Sequence, residues 1–522
     1  MPKEKLGFSS NKDLWIVFLG LLGIAGICQV IHLGHSFFFH GDTTYPESAV
    51  VQTALWAKDS GRTYPGMNEA PYTPAPYGPL FYVALAKLAQ SINSGFDSLL
   101  IFGRGVAFAS FLLLLIAAYR WARSQNLAPL VALTAPAFIL AQIDFADWNV
   151  SVRPDLPALL LGFVAFYFLS SGVLTWRRAA LAGLFCALAG LIKQSFVALP
   201  LAATLWLLLT RRLKLLLAFV AAMSAPVFLV FGWLAWRHEP FMQEILMARY
   251  SPTSAASALA LLKADLIHFP MQAVLAGLGL VALMLAPKNN GQNFRLLYCL
   301  YFFFSWGMGF YIAMAPGASV NAFLECWTLA AVLASLAVAA WVKSWRNLSS
   351  SVKAIQIILW ICIMGISLDA WRVVASSPAA DGYDRLAQSL REHRVLSDIP
   401  YLAAHGKQPE LLDPSVNHYL ELAGHWSSKP IRDELQAGGF DYVIVGASDG
   451  QVRKWRGLTL FSDSILREID RDYQFYCASR RIAVYVPGNR ATTDSAIHDV
   501  LEQTGCDFRN AMKPKLFAAD LR

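Results

Sequence analysis

The sequence predicts a mainly α-helical, polytopic membrane protein that carries a small C-terminal α/β domain outside the bilayer. Three observations predict it. The chain of 522 residues is 56% hydrophobic, with only 15% charged residues and a mean hydropathy of +0.45. That is too little charge to cover a soluble protein of this size. Its apolar residues gather in long runs, and lipid offers backbone groups no hydrogen-bond partner, so such runs must cross as helices. After Trp371 the composition changes to charged helices alternating with short apolar strands.

Runs of spanning character fall near 14–36, 98–120, 127–143, 155–172, 179–192, 195–210, 213–235, 264–286, 295–313, 322–342 and 353–372, which predicts about eleven spans. The first lacks a small-residue cleavage site and is expected to stay as an anchor. An outer loop, about 38–97, separates the first two. Within it "PESAVVQTALWAKDSGR" (Pro46–Arg62) has Pro at a helix start and an acid in the first turn, so it reads as a surface helix. "YGPLFYVALAKLAQSI" (Tyr77–Ile92) falls short of the ~20 residues a span needs and contains Lys87.

Whether Tyr77–Ile92 spans decides the orientation of everything after it. If it lies along the outer interface, the basic loops Arg120/Arg123, Arg177/Arg178, Arg211/Arg212/Lys214, Lys288/Arg295 and Lys343/Arg346/Lys353 are all cytoplasmic. Cytoplasmic loops carry the excess of Lys and Arg, so it is read as an amphipathic juxtamembrane helix. The N-terminus is then inside and the C-terminus outside. Two domains result: a transmembrane domain over 1–375 and an extracytoplasmic α/β domain over 376–522. The strands of the latter include "FDYVIVG" (Phe440–Gly446) and "RIAVYVP" (Arg481–Pro487). "GASDG" (Gly446–Gly450) reads as a turn rather than a phosphate loop.

The net charge of +8 does not point to nucleic acid, because the cations sit in short loops where they orient helices. Of seven cysteines, five lie in apolar runs as packing residues, and Cys477 and Cys506 can pair if the tail faces an oxidising compartment. The orientation gathers scarce charge on one face: Asp42, Glu47, Asp144, Asp147, Arg153, Asp155, Lys193, Gln194, Asn321 and Glu325 all fall at the outer membrane surface. Glu47 and Asp155 each stand at a helix start, where capping is an equal explanation. Lys193 and Gln194 interrupt an apolar stretch, and the lysine either snorkels or meets an anionic headgroup. Arg104 lies roughly 9 Å inside its span at helical rise, and a buried arginine is paired or functional. Asn321 and Glu325, four apart, share one helix face.

One reaction class suits such a set. Sugar transfer from a lipid-linked phosphate needs cations at the departing phosphate and a carboxylate beside the incoming hydroxyl. That hydroxyl acidifies as the anomeric carbon gains oxocarbenium character, so a carboxylate suffices as base. Arginine's planar fork suits the phosphate. The chain resembles the GT-C superfamily of integral-membrane glycosyltransferases, in the branch of protein O-mannosyltransferases and lipid A aminoarabinose transferases. The carrying features are Asp42, "YTPAPYGPLFY" (Tyr72–Tyr82), Arg104, "RPDLPALLL" (Arg153–Leu161), "KQS" (Lys193–Ser195) and "GASVNAFLE" (Gly317–Glu325), over roughly 14–345.

The resemblance implies an inverting transfer from a polyprenyl-phosphate sugar to an extracytoplasmic glycan, lipid or protein. Asp42, Glu47 and Asp155 are the candidate catalytic acids. Arg104, Arg153, Lys193 and Gln194 are the candidate donor-phosphate contacts, and Tyr77, Asn321 and Glu325 the candidate substrate contacts. Many relatives have adjacent Asp-Glu in the first loop; here Thr43 follows Asp42 and Glu47 comes later. No cofactor is expected, although some GT-C enzymes use a divalent metal. A bacterial inner membrane is the expected location. The competing readings are a transporter or lipid flippase, which would spread polar residues to the midplane and both sides, and a scaffold, which leaves the membrane charges unexplained.

Overall fold

The computed structural model describes residues 12–344 and 383–508, interrupted at 45–46, 94, 143, 251–252, 269, 286–293, 316–317, 408–411, 449–450, 453, 456–457 and 489–494, together with 514 and 516. The run expected at 353–372 lies outside the described residues.

Helix α1 (Lys12–Phe37) leads into the first loop, which carries α2 (Glu47–Ser60) and α3 (Pro79–Ser91). Pro79 opens α3 with its ring pre-set for the first helical position, and the helix ends at Ser91 after 13 residues. Then come α4 (Phe96–Ser124), the short α5 (Pro129–Ala132), α6 (Thr134–Leu140) and α7 (Asp144–Trp148), and α8 (Asp155–Ser170). They are followed by α9 (Trp176–Ile192), α10 (Ala198–Leu209), α11 (Leu213–Trp236), α12 (Phe241–Ile245), α13 (Ala255–His268), α14 (Pro270–Leu285), α15 (Phe294–Ala313) and α16 (Leu324–Ser344). Among the described residues four helices are long and apolar enough to cross a membrane, or five if the bent pair α13–α14 counts as one. The chain is an integral membrane protein.

Two runs differ from their sequence expectation. That at 127–143 is broken into α5 and α6. The single span expected at 264–286 is replaced by α13 and α14, bent by 87° around Pro270. A proline cannot donate to the preceding turn, which places the break.

The membrane core packs around aromatic side chains. Trp121 stacks on Phe166 at 6.1 Å, and its indole N–H donates to Ser170 Oγ at 3.1 Å. Gly183 lets α9 meet α11 backbone to backbone, since a Cβ there would stand 2.1 Å from the Phe219 carbonyl oxygen.

The C-terminal part builds a sheet from β1 (Val395–Ser397), β2 (Tyr442–Ser448), β3 (Gln451–Val452), β6 (Tyr473–Ala478) and β7 (Ile482–Pro487), with β4 (Lys454–Trp455) and β5 (Leu458–Thr459) pairing separately. The order is β1-β2-β7-β6; β1 runs parallel to β2, and the β2–β7 and β7–β6 pairs are antiparallel, with Val443 opposite Tyr485. Cys477 and Cys506 form a disulfide that fastens the end of helix Ser495–Gln503 to β6. One continuous apolar cluster joins Val51 and Ala54 of α2, Tyr82 and Leu85 of α3, and Tyr401, Ile444 and Val484 of the C-terminal part. The helix expected at the surface, α2, is therefore buried: Val51 and Ala54 are 0% exposed. Its cover comes from residues far along the chain, including Ala404, whose carbonyl accepts from Gln52 Nε2 at 3.2 Å.

Candidate functional site

The first loop is wound around Arg104. This side chain enters from α4 and is fully buried. Its Nε donates to Glu47 Oε1 at 3.0 Å and its Nη2 to Glu47 Oε2 at 2.8 Å. The other donors reach the carbonyls of Phe39 (2.6 Å), Gly41 (2.7 Å), Phe37 (3.1 Å) and Ser36 (3.2 Å). A guanidinium has five N–H donors, and the end of α1 and the loop take them all. Glu47 is equally committed, accepting also from Val152 N at 2.7 Å, Thr43 N at 3.0 Å and Thr43 Oγ1 at 2.9 Å. Neither group has a free hydrogen-bonding position to offer a substrate.

Asp42 is less committed. Its Oδ1 accepts from Ser48 N at 2.6 Å, capping the first turn of α2, and the Ser48 side chain also acts on the carboxylate. Burial pushes its pKa up to about 7, opposed by the Ser48 bond and assisted by the Glu47 charge.

A second cluster centres on Asp155 in the first turn of α8. Its Oδ1 accepts from Lys193 Nζ at 2.5 Å and from Asn321 Nδ2 at 3.0 Å, while Arg153 Nε lies 3.9 Å from its Oδ2. The Arg153 guanidinium sits against two rings, 5.3 Å from the centre of Tyr77 and 5.0 Å from that of Trp148. Burial lifts the Tyr77 hydroxyl well above its ordinary pKa, with Arg153 pulling the other way. Lys193 is delivered by the turn that ends α9, where Gly78 is indispensable: a Cβ would stand 2.1 Å from Leu191 O, and Gly78 N donates to Ile192 O at 3.1 Å. Gln194 spends its amide nitrogen on Pro76 O at 2.6 Å and Ile245 O at 3.0 Å. Glu325, inside α16, accepts from Tyr301 Oη at 2.9 Å.

The two clusters touch through residues 151–152. Thr44 Oγ1 lies 2.5 Å from Ser151 Oγ, and Val152 N is the Glu47 donor. Asp42, Glu47 and Arg104 thus share one neighbourhood, while Asp155, Arg153, Lys193, Asn321 and Tyr77 form the adjoining one. Asp144 and Asp147 fall on α7.

Two carboxylates emerge that sequence reasoning did not single out. Glu239 Oε2 accepts from the amides of Thr63 and Tyr64 at 2.8 and 3.2 Å. Glu244 accepts from Gly66 N at 2.7 Å and Ala75 N at 2.6 Å. They clamp the loop that leads to Tyr77. Their only sequence signal is an acid in a short, otherwise apolar segment. Among the described residues no group of three or more His, Cys, Asp or Glu can hold a metal ion.

These helices, with the long first loop between α1 and α4, make up a fold that the chain shares with solved membrane-protein structures. The chain is similar to ArnT from Cupriavidus metallidurans bound to undecaprenyl phosphate, with a TM-score of 0.59 and 13% identity, over 92% of this chain and 100% of that one. The apo state of the same protein gives a TM-score of 0.57 and 12% identity, over 91% of this chain and 98% of that one. Identity this low establishes a shared fold. No protein-family model and no curated protein sequence matches the chain.

Proposed function

We propose that the protein moves a sugar from a polyprenyl-phosphate-linked donor to an extracytoplasmic acceptor (a glycan, lipid or protein) with inversion at the anomeric carbon. The observation that carries this reading is the Lys193–Asp155–Arg153 cluster, held beside a loop whose Asp42 is hydrogen-bonded only to Ser48 among the described residues. Asp42 takes the proton of the acceptor hydroxyl as its oxygen bonds to the anomeric carbon. The bond from that carbon to the phosphate oxygen breaks, and the departing phosphate gains charge opposite Lys193 and Arg153. Asp155, itself held by Asn321, keeps Lys193 in place, and Tyr77 and Trp148 flank Arg153. Glu47 and Arg104 are assigned to holding the loop rather than to chemistry, and Gln194 to tying loops together. No metal is needed for these steps.

The wider arrangement belongs to the same proposal: about eleven spans, N-terminus inside, and residues 376–522 as an extracytoplasmic domain of an inner-membrane enzyme. The Cys477–Cys506 bond supports that placement, since disulfides persist in oxidising compartments. The test is mass spectrometry of lipid co-purifying with the detergent-solubilised protein, wild type beside Arg153→Ala and Lys193→Ala. Polyprenyl phosphate or its glycosylated form, depleted in both variants, is expected. Bulk phospholipid alone, unchanged by the substitutions, would overturn the reading.

A further inference from the structure

The C-terminal part reaches the Arg153 cluster through the helix Pro414–Leu422. This helix packs on the turn Met247–Tyr250, and Met247, Leu412, Tyr419 and Leu420 share one apolar cluster. The ring of His425, just past the helix, lies 3.6 Å from that of Tyr250, and Asn68 Nδ2 donates to His425 O at 3.4 Å. At the start of the helix Asp413 caps the first turn, accepting from Val416 N at 3.3 Å, and is 3% exposed. Its charge acts on both Arg153 and Tyr77. One turn on, Asn417 is 1% exposed, and neither its amide nitrogen nor its oxygen has a hydrogen-bond partner among the described residues.

A buried amide with both ends unsatisfied costs free energy that a structural role does not return. Spacing of four places Asn417 on the same helix face as Asp413. A donor and an acceptor side by side, next to a carboxylate, match the paired hydroxyls of a sugar. The stripe ends there, because Glu421, the next residue on this face, is bonded to Ser428 and Ser464.

We infer that Asp413 and Asn417 form a subsite for sugar hydroxyls, contributed by the C-terminal part beside Arg153 and Tyr77. It rests on the glycosyltransferase reading and gives the C-terminal part a share in substrate recognition. The hydroxyls belong either to the donor sugar or to a saccharide acceptor.

Native mass spectrometry of the full chain in detergent can separate these, with undecaprenyl phosphate, undecaprenyl phosphate-glucose and free maltotriose as probes. Asn417→Leu is the main variant; Asp413→Asn, which keeps the cap, is the second. If the subsite takes the donor sugar, wild type prefers the glucosylated lipid. Asn417→Leu then loses about tenfold of that preference, the equivalent of one or two hydrogen bonds, while bare undecaprenyl phosphate binds as before. If it takes an acceptor, the loss falls on maltotriose alone. Sugar binding equal in wild type and both variants overturns the subsite, as does a wild type that discriminates none of the sugars. A wild type that binds sugar but no undecaprenyl phosphate refutes the donor reading instead, leaving the maltotriose arm to judge Asn417. Thermal unfolding supplies a further readout: a purely structural Asn417 predicts that leucine is neutral or stabilising with no change in sugar binding.

Discussion

Arg104 and Glu47 form a closed, fully buried ion pair in which Nε and Nη2 of the guanidinium meet the two carboxylate oxygens, at 3.0 and 2.8 Å. Everything else these groups are shown to bind belongs to the last turn of α1, the first loop or Val152. Breaking one partner of such a pair leaves an uncompensated buried charge, which costs about 3–5 kcal/mol. Arg104→Met and Glu47→Gln should therefore each lower the melting temperature in detergent sharply. The two losses should be far from additive in the double variant. Additive losses would show that the groups act separately.

Asp42→Asn tests the base directly. The asparagine oxygen can still accept from Ser48 N, so the fold should be kept while transfer falls by about 10²–10⁴-fold. Retained transfer would move the base to another acid. The pH dependence is specific: with its pKa pushed to about 7, Asp42 is ionised only above that pH, so transfer should rise through about pH 7. Its stability contribution runs the opposite way. A carboxyl whose folded pKa is raised contributes fully below its unfolded value, about 3.9, and loses that contribution as pH rises through about 7. Asp42→Asn should thus gain stability relative to wild type between pH 4 and 8.

The helices were legible in the sequence because they follow from local composition. Pro79 and the short Tyr77–Ile92 run placed α3. Asp155, Lys193 and Asn321 could be put on one face, but their direct bonding could not, since it depends on the turn made possible by Gly78. The burial of α2 was invisible because Ala404, one of its covers, lies 352 positions from Gln52. Glu239 and Glu244 were missed for a related reason. Their partners are backbone amides 169–178 positions away, which no side-chain pattern announces.

Lys193→Met should weaken undecaprenyl phosphate binding at least tenfold, about the 1.4 kcal/mol that separates adjacent decades. Asp155 would be left buried with Asn321 and the more distant Arg153, so the variant should also melt at lower temperature. Lys193→Met/Asp155→Asn removes the stranded charge. It should recover stability without recovering lipid binding, and recovery of both would assign Lys193 a purely structural role.

Glu244 provides a pH-dependent test of the loop clamp. Burial raises its carboxyl to about 8, although the bonds from Ala75 N and Gly66 N pull it down. Glutamine keeps one acceptor oxygen but turns an N–H₂ group toward the second amide, leaving that amide unsatisfied at a cost of about 1–3 kcal/mol. Glu244→Gln should therefore melt below wild type near neutral pH, with faster proteolysis between Arg62 and Tyr77. The gap should shrink on alkalinisation. The wild-type carboxyl contributes fully below its unfolded pKa, about 4.3, and loses that contribution as pH rises through about 8, whereas glutamine does not titrate. Melting curves at pH 5, 7 and 9 decide it. A gap independent of pH would mean that Glu244 is ionised throughout and that the clamp is a charged one at every pH.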